Sequence, residues 1–308
     1  MGSKMTTVKL HRSRRFRQNV PLLIMFAPIL AYYIIFKYLP MGGLIIAFKS
    51  YSLRLGVFGS PWVGLRNFEL IFMGANTLNV IRNTFWLSVL RLIAGFPAPI
   101  ILALLLNEVH KSWYKKTIQT IVYLPHFFSW VIIGGIVINI FAQERGIVNQ
   151  FVKAVTGEPY PFLYSPVSWI TIFIASGIWK GAGFGTIIYL AALSGVDPNL
   201  YEAAIIDGAN KWKQLVHITL PGIKTTVITL FVLAVGGIME VGFDQVYVLQ
   251  NSIVNNVADV ISTYIYRIGL QGARYDLTTA MGLFDSLVGL ILVITTNAIA
   301  RKFDEGLW

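Results

Sequence analysis

Five charged side chains stand inside long hydrophobic runs of this sequence. They are Arg91, Lys180, Glu240, Asp244 and Asp285, and Trp179 and Tyr247 accompany two of them. A charge at mid-membrane costs at least about 2.5–3.5 kcal/mol on insertion scales, so each must face a partner, a water-filled cavity or a solute. Carboxylates accept hydrogen bonds from hydroxyl groups, and aromatic rings offer apolar platforms. Guanidinium and ammonium groups pair with carboxylates. Glu240 and Asp244 are spaced i,i+4, the spacing of one helix face, and Tyr247 continues it. At ~1.5 Å per residue, Arg91, Glu240 and Asp285 fall in one layer about 12–14 Å deep, with Lys180 near ~21 Å and Asp244 shallower. Lys37 lies nearer an interface. This placement describes a hydrated vestibule. An internal ion-pair network that only joins helices is the competing reading of the same charges.

Other chemistry is missing. There are no cysteines, so disulfides, thiol nucleophiles and cysteine zinc sites are excluded. His11, His110, His126 and His217 are scattered and form no His-x-x-x-His pair. No Gly-Lys dipeptide exists from which a phosphate-binding loop could be built, and no Gly-x-Ser-x-Gly elbow is present. The expectation is a chain with no catalytic residue, no metal and no cofactor of its own.

The elements that must position the charges follow from composition. The 308 residues are 56% hydrophobic and 13% charged, against roughly 25% charged in soluble domains, and mean hydropathy is +0.66. Lipid is the expected solvent, and the fold class is an all-α integral membrane protein. Six apolar runs approach the ~20 residues that a crossing helix needs: 20–48, 83–106, 117–141, 166–193, 223–249 and 277–299. Lys37 and Pro40 interrupt the first and threaten to end it early. Segments 1–19, 107–116 and 194–224 and the tail after 299 hold fourteen Lys and Arg, whereas the longer opposite loops hold eight. The positive-inside rule then places both termini in the cytoplasm, with 1–19 as a cytoplasmic N-terminal segment, 20–299 as the membrane domain and 300–308 as a cytoplasmic tail. The net charge of +11 reports these loops rather than a nucleic-acid partner. The basic stretch 9–17 ahead of an apolar run looks like a secretion signal, but no small-x-small cleavage site closes it, so it reads as a retained first helix. Met1–Met5 carries no weight in this expectation.

Glycines 177, 181 and 185 recur every four residues and predict a flat ridge for close helix approach. The opposite loops carry Pro159, Tyr160, Pro161, Phe162 and Tyr164, and Asn251, Asn255, Asn256 and Tyr275. These suit either a docking protein or an interfacial aromatic belt. No internal repeat and no paired broken helices are visible.

One loop is unlike a linker. Residues 194–222 read SGVDPNLYEAAIIDGANKWKQLVHITLPG. Asp197 or Asn199 can cap a helix carrying Leu200, Ala203, Ala204 and Ile206. Gly208 after Asp207 can turn the chain. Ala209–Ile218 supplies a second helix with Trp212, Leu215 and Val216 on a face, and Leu220–Pro221–Gly222 stops it. Two short amphipathic helices at an angle present an apolar knob that can enter a partner's groove or lie on lipid.

The order Glu202-Ala203-Ala204, three residues to Gly208, nine more, then Ile218-x-Leu220-Pro221 resembles the coupling motif of permease subunits of binding-protein-dependent ABC importers. FKYLPMGGLIIAFKSY (36–51), GSPWVGLRNF (59–68), FPAPIILALLLNEV (96–109), YLPHFFSWV (123–131), ADVISTYIYRIGL (258–270) and the final GLW resemble the polysaccharide-type permeases of the carbohydrate-uptake branch. The resemblance covers nearly the whole chain. It implies a six-helix subunit beside a homologous second permease, with two copies of an ABC ATPase below that carry the ATP and Mg. An extracytoplasmic solute-binding protein would deliver an oligosaccharide, including uronates such as alginate, by alternating access at the inner membrane. The loop 195–222 would enter a cleft on the ATPase, with Glu202 facing a basic residue. If the solute is a uronate, Arg91 and Lys180 are its natural carboxylate partners. The alternative is a proton-coupled secondary sugar transporter that uses Glu240, Asp244 and Asp285.

Overall fold

Apolar runs in lipid must satisfy their own backbone, which leaves helices as the only open-chain solution. The computed structural model meets this demand: it describes residues 4–302, with side chains from residue 19, and is helical along most of its length. The tail 303–308 and Met1–Gly2–Ser3 lie outside the described residues.

In chain order the elements used below are α1 (Lys4–Tyr33), α2 (Ala75–Gly95), α3 (Pro97–Asn107), α4 (Ser112–Tyr123), α5 (Trp130–Phe141), α6 (Ile147–Thr156), α7 (Pro166–Leu193), α8 (Pro198–Ile206), α9 (Lys211–Gln214), α10 (Lys224–Gly236), α11 (Phe243–Leu249) and α12 (Tyr275–Arg301). Four helical stretches are long and apolar enough to cross a membrane: Asn19–Phe48, Ala75–Asn107, Pro166–Leu193 and Tyr275–Arg301. Two bent pairs bring the total to six when each pair is one crossing.

The first stretch runs on through Lys37 and Pro40. A π-helical turn at Ile34–Tyr38 absorbs the former, and Pro40 stands at the start of the next turn, where its missing N–H costs little. Its side chains from Leu22 to Met41 are exposed, so this helix turns its apolar surface away from its own bundle. The second stretch begins at Ala75, ahead of the expected Asn83. Its polar first turns are helical too, and Asn83 itself is buried, donating to the carbonyls of Asn256 and Asp259 at 2.9 and 3.1 Å. The fourth stretch has the expected bounds.

The third and fifth spans depart from the expectation of unbroken helices. The third bends by 103° between Ser112–Phe127 and Trp130–Phe141. Pro125 stands at the start of the short 3₁₀ turn Leu124–Phe127, and Ser129 caps the next helix by accepting from the Ile132 N–H. The fifth ends its first half at Gly236–Gly237, crosses 238–242 without helix and restarts at Phe243. Two adjacent glycines and Gly242 at φ +95° give the chain this freedom. Glu240 therefore lies in the gap while Asp244 lies in the first turn of α11, so the two do not share a helix face as their spacing suggested.

Three buried clusters hold the bundle. One joins α5, α7 and α11 through Ile133, Val137, Trp169, Phe173, Val246 and Leu249. A second gathers Ala47, Ile71, Val80, Met239, Ala280 and Met281. A third, next to the 194–222 loop, joins Ala103, Tyr189, Leu193 and Ile223. The glycine ridge serves packing inside the bundle. Gly177 faces Gln245, Gly185 faces Pro99, and Gly181 is open. A side chain on Gly183 would collide with the Val122 carbonyl.

Candidate functional site

The 194–222 loop folds as two helices joined at a turn. The Asp197 carboxylate accepts from the Asn199 N–H at 3.0 Å and caps α8. Gly208 takes φ +74°, a conformation that disfavours other residues. The Asn210 side chain then caps α9 by accepting from Lys213 N–H at 2.9 Å. The second helix runs further than expected. A π-turn at Leu215–Thr219 follows α9, and Leu220–Pro221–Gly222 is helical, so the bend of 61° comes only at Ile223. Tyr201 and Thr219 hydroxyls meet at 3.0 Å and tie the two helices together. Glu202, Ala203, Asp207, Gly208 and Pro221 are exposed, while Ala204, Leu215 and Ile218 are half-buried. Ile206 is 85% exposed and Trp212 70%. The exposed tips are Ile205, Ile206 and Trp212, and Trp212 and Leu215 together line a groove of about 350 Å³ with Leu104, Leu105 and Tyr201. Lys211 pairs with Glu108 at 3.1 Å, fixing the 107–116 loop at the same end of the molecule.

The charged residues of the spans divide into three places. Arg91, Glu240, Ser88, Gly181 and Gly237 line a cleft of about 460 Å³. Glu240 also lines a neighbouring cavity of about 290 Å³ with Asp285 and Ser286, so it stands between Arg91 and Asp285, which line separate cavities. Arg91 donates from Nη1 to the Val241 carbonyl at 2.7 Å and the Glu240 carbonyl at 3.4 Å. Asp285 Oδ1 is buried with no hydrogen-bond partner among the described residues.

Lys180 is elsewhere. Its Nζ donates to the carbonyls of Phe128 at 2.5 Å, His126 at 2.8 Å and Pro125 at 3.4 Å, and lies 5.6 Å from the Trp130 ring centre. Trp179, its neighbour on α7, takes the other side and lines an apolar groove of about 550 Å³ with Val137, Phe141, Tyr160 and Phe162. Neither reaches the Arg91–Glu240 cleft.

Asp244 and Tyr247 form the third place, both exposed on α11. Tyr247 belongs to a triad in which Phe243–Tyr247, Phe243–Tyr266 and Tyr247–Tyr266 ring centres lie 5.1, 5.2 and 5.3 Å apart. Phe243 and Tyr266 escaped the sequence reading. The i,i+4 pair Phe243/Tyr247 was a usable signal, but Tyr266 comes from a separate segment. Among the described residues no group of three or more His, Asp or Glu can hold a metal ion.

The family model described as binding-protein-dependent transport system inner membrane component matches residues 95–308. The chain belongs to that family. The permease is 47% identical over 289 residues to Protein LplB of Bacillus subtilis, covering 93% of this chain and 91% of the relative. It is 43% identical to the polygalacturonan/rhamnogalacturonan transport system permease protein YteP of the same organism, covering 94% and 90%. It also matches a chain in the crystal structure of a bacterial ABC transporter involved in the import of the acidic polysaccharide alginate, with TM-score 0.88, 42% identity and coverage of 95% and 99%. The match is equal in the alginate transporter complexed with an alginate pentasaccharide-bound periplasmic protein, where 98% of the neighbour is covered. A methionine ABC transporter chain shares the fold at TM-score 0.52 and 13% identity. The permease is accordingly an ABC importer membrane subunit, and the proton-coupled alternative is set aside.

Proposed function

We propose that the permease carries an acidic oligosaccharide, of the uronate class, across the inner membrane for an ATP-driven importer. The observation that carries this reading is the exposed two-helix knob of α8 and α9. Its apolar tips Ile206 and Trp212 project from the bundle beside the carboxylate of Glu202. Exposed aromatic and aliphatic anchors of this kind are what a partner's groove captures. The partner is an ABC ATPase, present in two copies, on which ATP and Mg are bound, and this chain binds no cofactor. Ala203, Ala204, Asp207, Gly208, Leu215, Ile218 and Pro221 shape the knob around Glu202.

Closure of the ATPase pair on nucleotide pushes the knob, and the helix bundle passes from inward-open to outward-open. A homologous second permease completes the pathway, and an extracytoplasmic solute-binding protein delivers the solute. Both termini and the knob are cytoplasmic in this reading. Segment 1–19 and the tail 300–308 flank the membrane domain 20–299. Tyr247 and Asp244 meet the solute first, through ring stacking and hydroxyl hydrogen bonds. The cleft of Arg91 and Glu240 lies deeper, with Asp285 beside it and Lys180 and Trp179 on the adjoining faces of α7. Names of similar proteins favour a uronate-rich solute, since polygalacturonan and alginate are both acidic polymers.

Reconstitution of the co-expressed complex in vesicles tests the reading. ATP-dependent uptake of a labelled uronate oligomer in the presence of the binding protein is expected. Uptake that survives an ATPase-dead partner and collapses with an uncoupler would overturn it.

A further inference from the structure

The third and fifth apolar stretches each lose helix partway, at 124–129 and at 237–242, and a cation meets backbone carbonyls at each of these places. A helix that stops within a bilayer leaves carbonyls that neither water nor the next turn can satisfy. In the third span the carbonyls of Pro125, His126 and Phe128 converge on Lys180 Nζ, and the ring of Trp130, first residue of α5, covers the ammonium from the far side of the break. In the fifth span the carbonyls of Glu240 and Val241 meet Arg91 Nη1. There the chain comes so close that a side chain on Gly242 would lie 3.4 Å from that nitrogen.

The two half-helices beyond the breaks form one packed unit. A side chain on Gly134 of α5 would meet the Val248 Cβ of α11 at 3.2 Å. On the other side of α11, Gln245 donates to the Phe173 carbonyl at 2.6 Å, and the Trp169 indole donates to the Leu249 carbonyl at 2.9 Å, both from α7. The unit is therefore tied to the unbroken helices α2 and α7 by one cation at each break.

We infer that Lys180 and Arg91 are positioning residues that pin the broken spans, and that their charge is committed to backbone carbonyls rather than offered to the carboxylates of the solute. This rests on the transport reading only for its uptake assay, since the geometry of the break is measured independently.

The chain has no cysteine, so spin labels can be placed on it at chosen sites. Labels at Lys116→Cys on α4 and Asn139→Cys on α5, both exposed, report the bend by pulsed electron resonance in the assembled complex. Three backgrounds are compared: the parent, Lys180→Met and Lys180→Gln. Lys180→Met removes the donor to the His126 and Phe128 carbonyls, while the Pro125 carbonyl keeps the Phe128 N–H. It is expected to shift or broaden the distance distribution and to lower uptake of a uronate oligomer and a neutral oligosaccharide in parallel. Lys180→Gln keeps amide donors and loses the charge, and it is expected to restore much of the narrow distribution and the uptake of both solutes. An unchanged distance in Lys180→Met, with uronate uptake alone lost in both variants, would overturn the inference and make Lys180 a solute ligand. If the Met variant fails to assemble, the Gln variant decides: recovery of assembly and uronate uptake supports the pin, and assembly without uronate uptake refutes it. Absence of ATP-driven uptake in the parent would count against the transport reading alone.

Discussion

The loop at 194–222 and the break at 237–242 are both departures from a plain membrane helix, yet one announces itself and the other does not. In the loop every turn is set by a neighbour in sequence. Asp197 caps α8 two residues on, Gly208 supplies the positive φ, and Asn210 caps α9 three residues on. In the break the freed carbonyls are satisfied by Arg91, about 150 residues away. Chemistry made locally is carried by local residue types, whereas chemistry completed across the bundle is carried by a lone cation whose partner is a carbonyl that any residue has.

The contrast can be broken or sharpened by substitution. The largest effect is expected from Glu202→Lys. The residue is exposed in the permease and reverses sign in the knob, so helicity and thermal unfolding of the subunit should be unchanged while ATP-driven uptake is abolished. Wild-type uptake in that variant would remove the knob from the mechanism. Glu240→Ala should reduce uptake strongly with normal assembly, because its carboxylate faces the cleft while its carbonyl, the group that Arg91 holds, is retained. Loss of assembled complex on size-exclusion chromatography would instead assign Glu240 to holding helices together. Tyr247→Ala opens the aromatic triad at an exposed position and should weaken uptake several-fold, with a rise in the apparent KM, whereas Tyr247→Phe keeps most of it. Equal loss in both variants would count against stacking. The smallest effect is expected from Asp197→Ala, which removes an N-cap worth about 1 kcal/mol. Faster amide exchange confined to α8 is the readout, and protection left unchanged along α8 would show that tertiary contacts hold it.

Long apolar runs were legible because burial in lipid demands hydrophobic stretches whatever the neighbours do: four helical stretches are long and apolar enough to cross, and the fourth run matched to the residue. The knob's turn and the cap at Asp197 were legible for the local reason given above, whereas the Asn210 cap of α9 was not singled out. Its outward face was only half legible. Periodicity put Leu215 beside Trp212, and both do line one groove with Leu104 and Leu105, but only Trp212 is left largely exposed. The fifth span hid its break because Gly236–Gly237 and Gly242 are ordinary residues in a membrane helix, where glycine is common. The i,i+4 spacing of Glu240 and Asp244 then lost its meaning. Trp179 and Lys180 are neighbours in sequence, but consecutive helical residues project about 100° apart, and the structure gives them different surroundings. Estimated depth put Arg91, Glu240 and Asp285 in one layer, and in the structure Glu240 stands between a cleft shared with Arg91 and a cavity shared with Asp285.

The central claim is that the α8–α9 knob is gripped by a separate ATPase. A photo-reactive amino acid placed at Ile206, which is 85% exposed at the tip, tests it in native membranes. The account predicts a covalent adduct with the ATPase subunit whose yield changes when nucleotide is added. Labelling of lipid alone, or an adduct with no ATPase in it, would contradict the account.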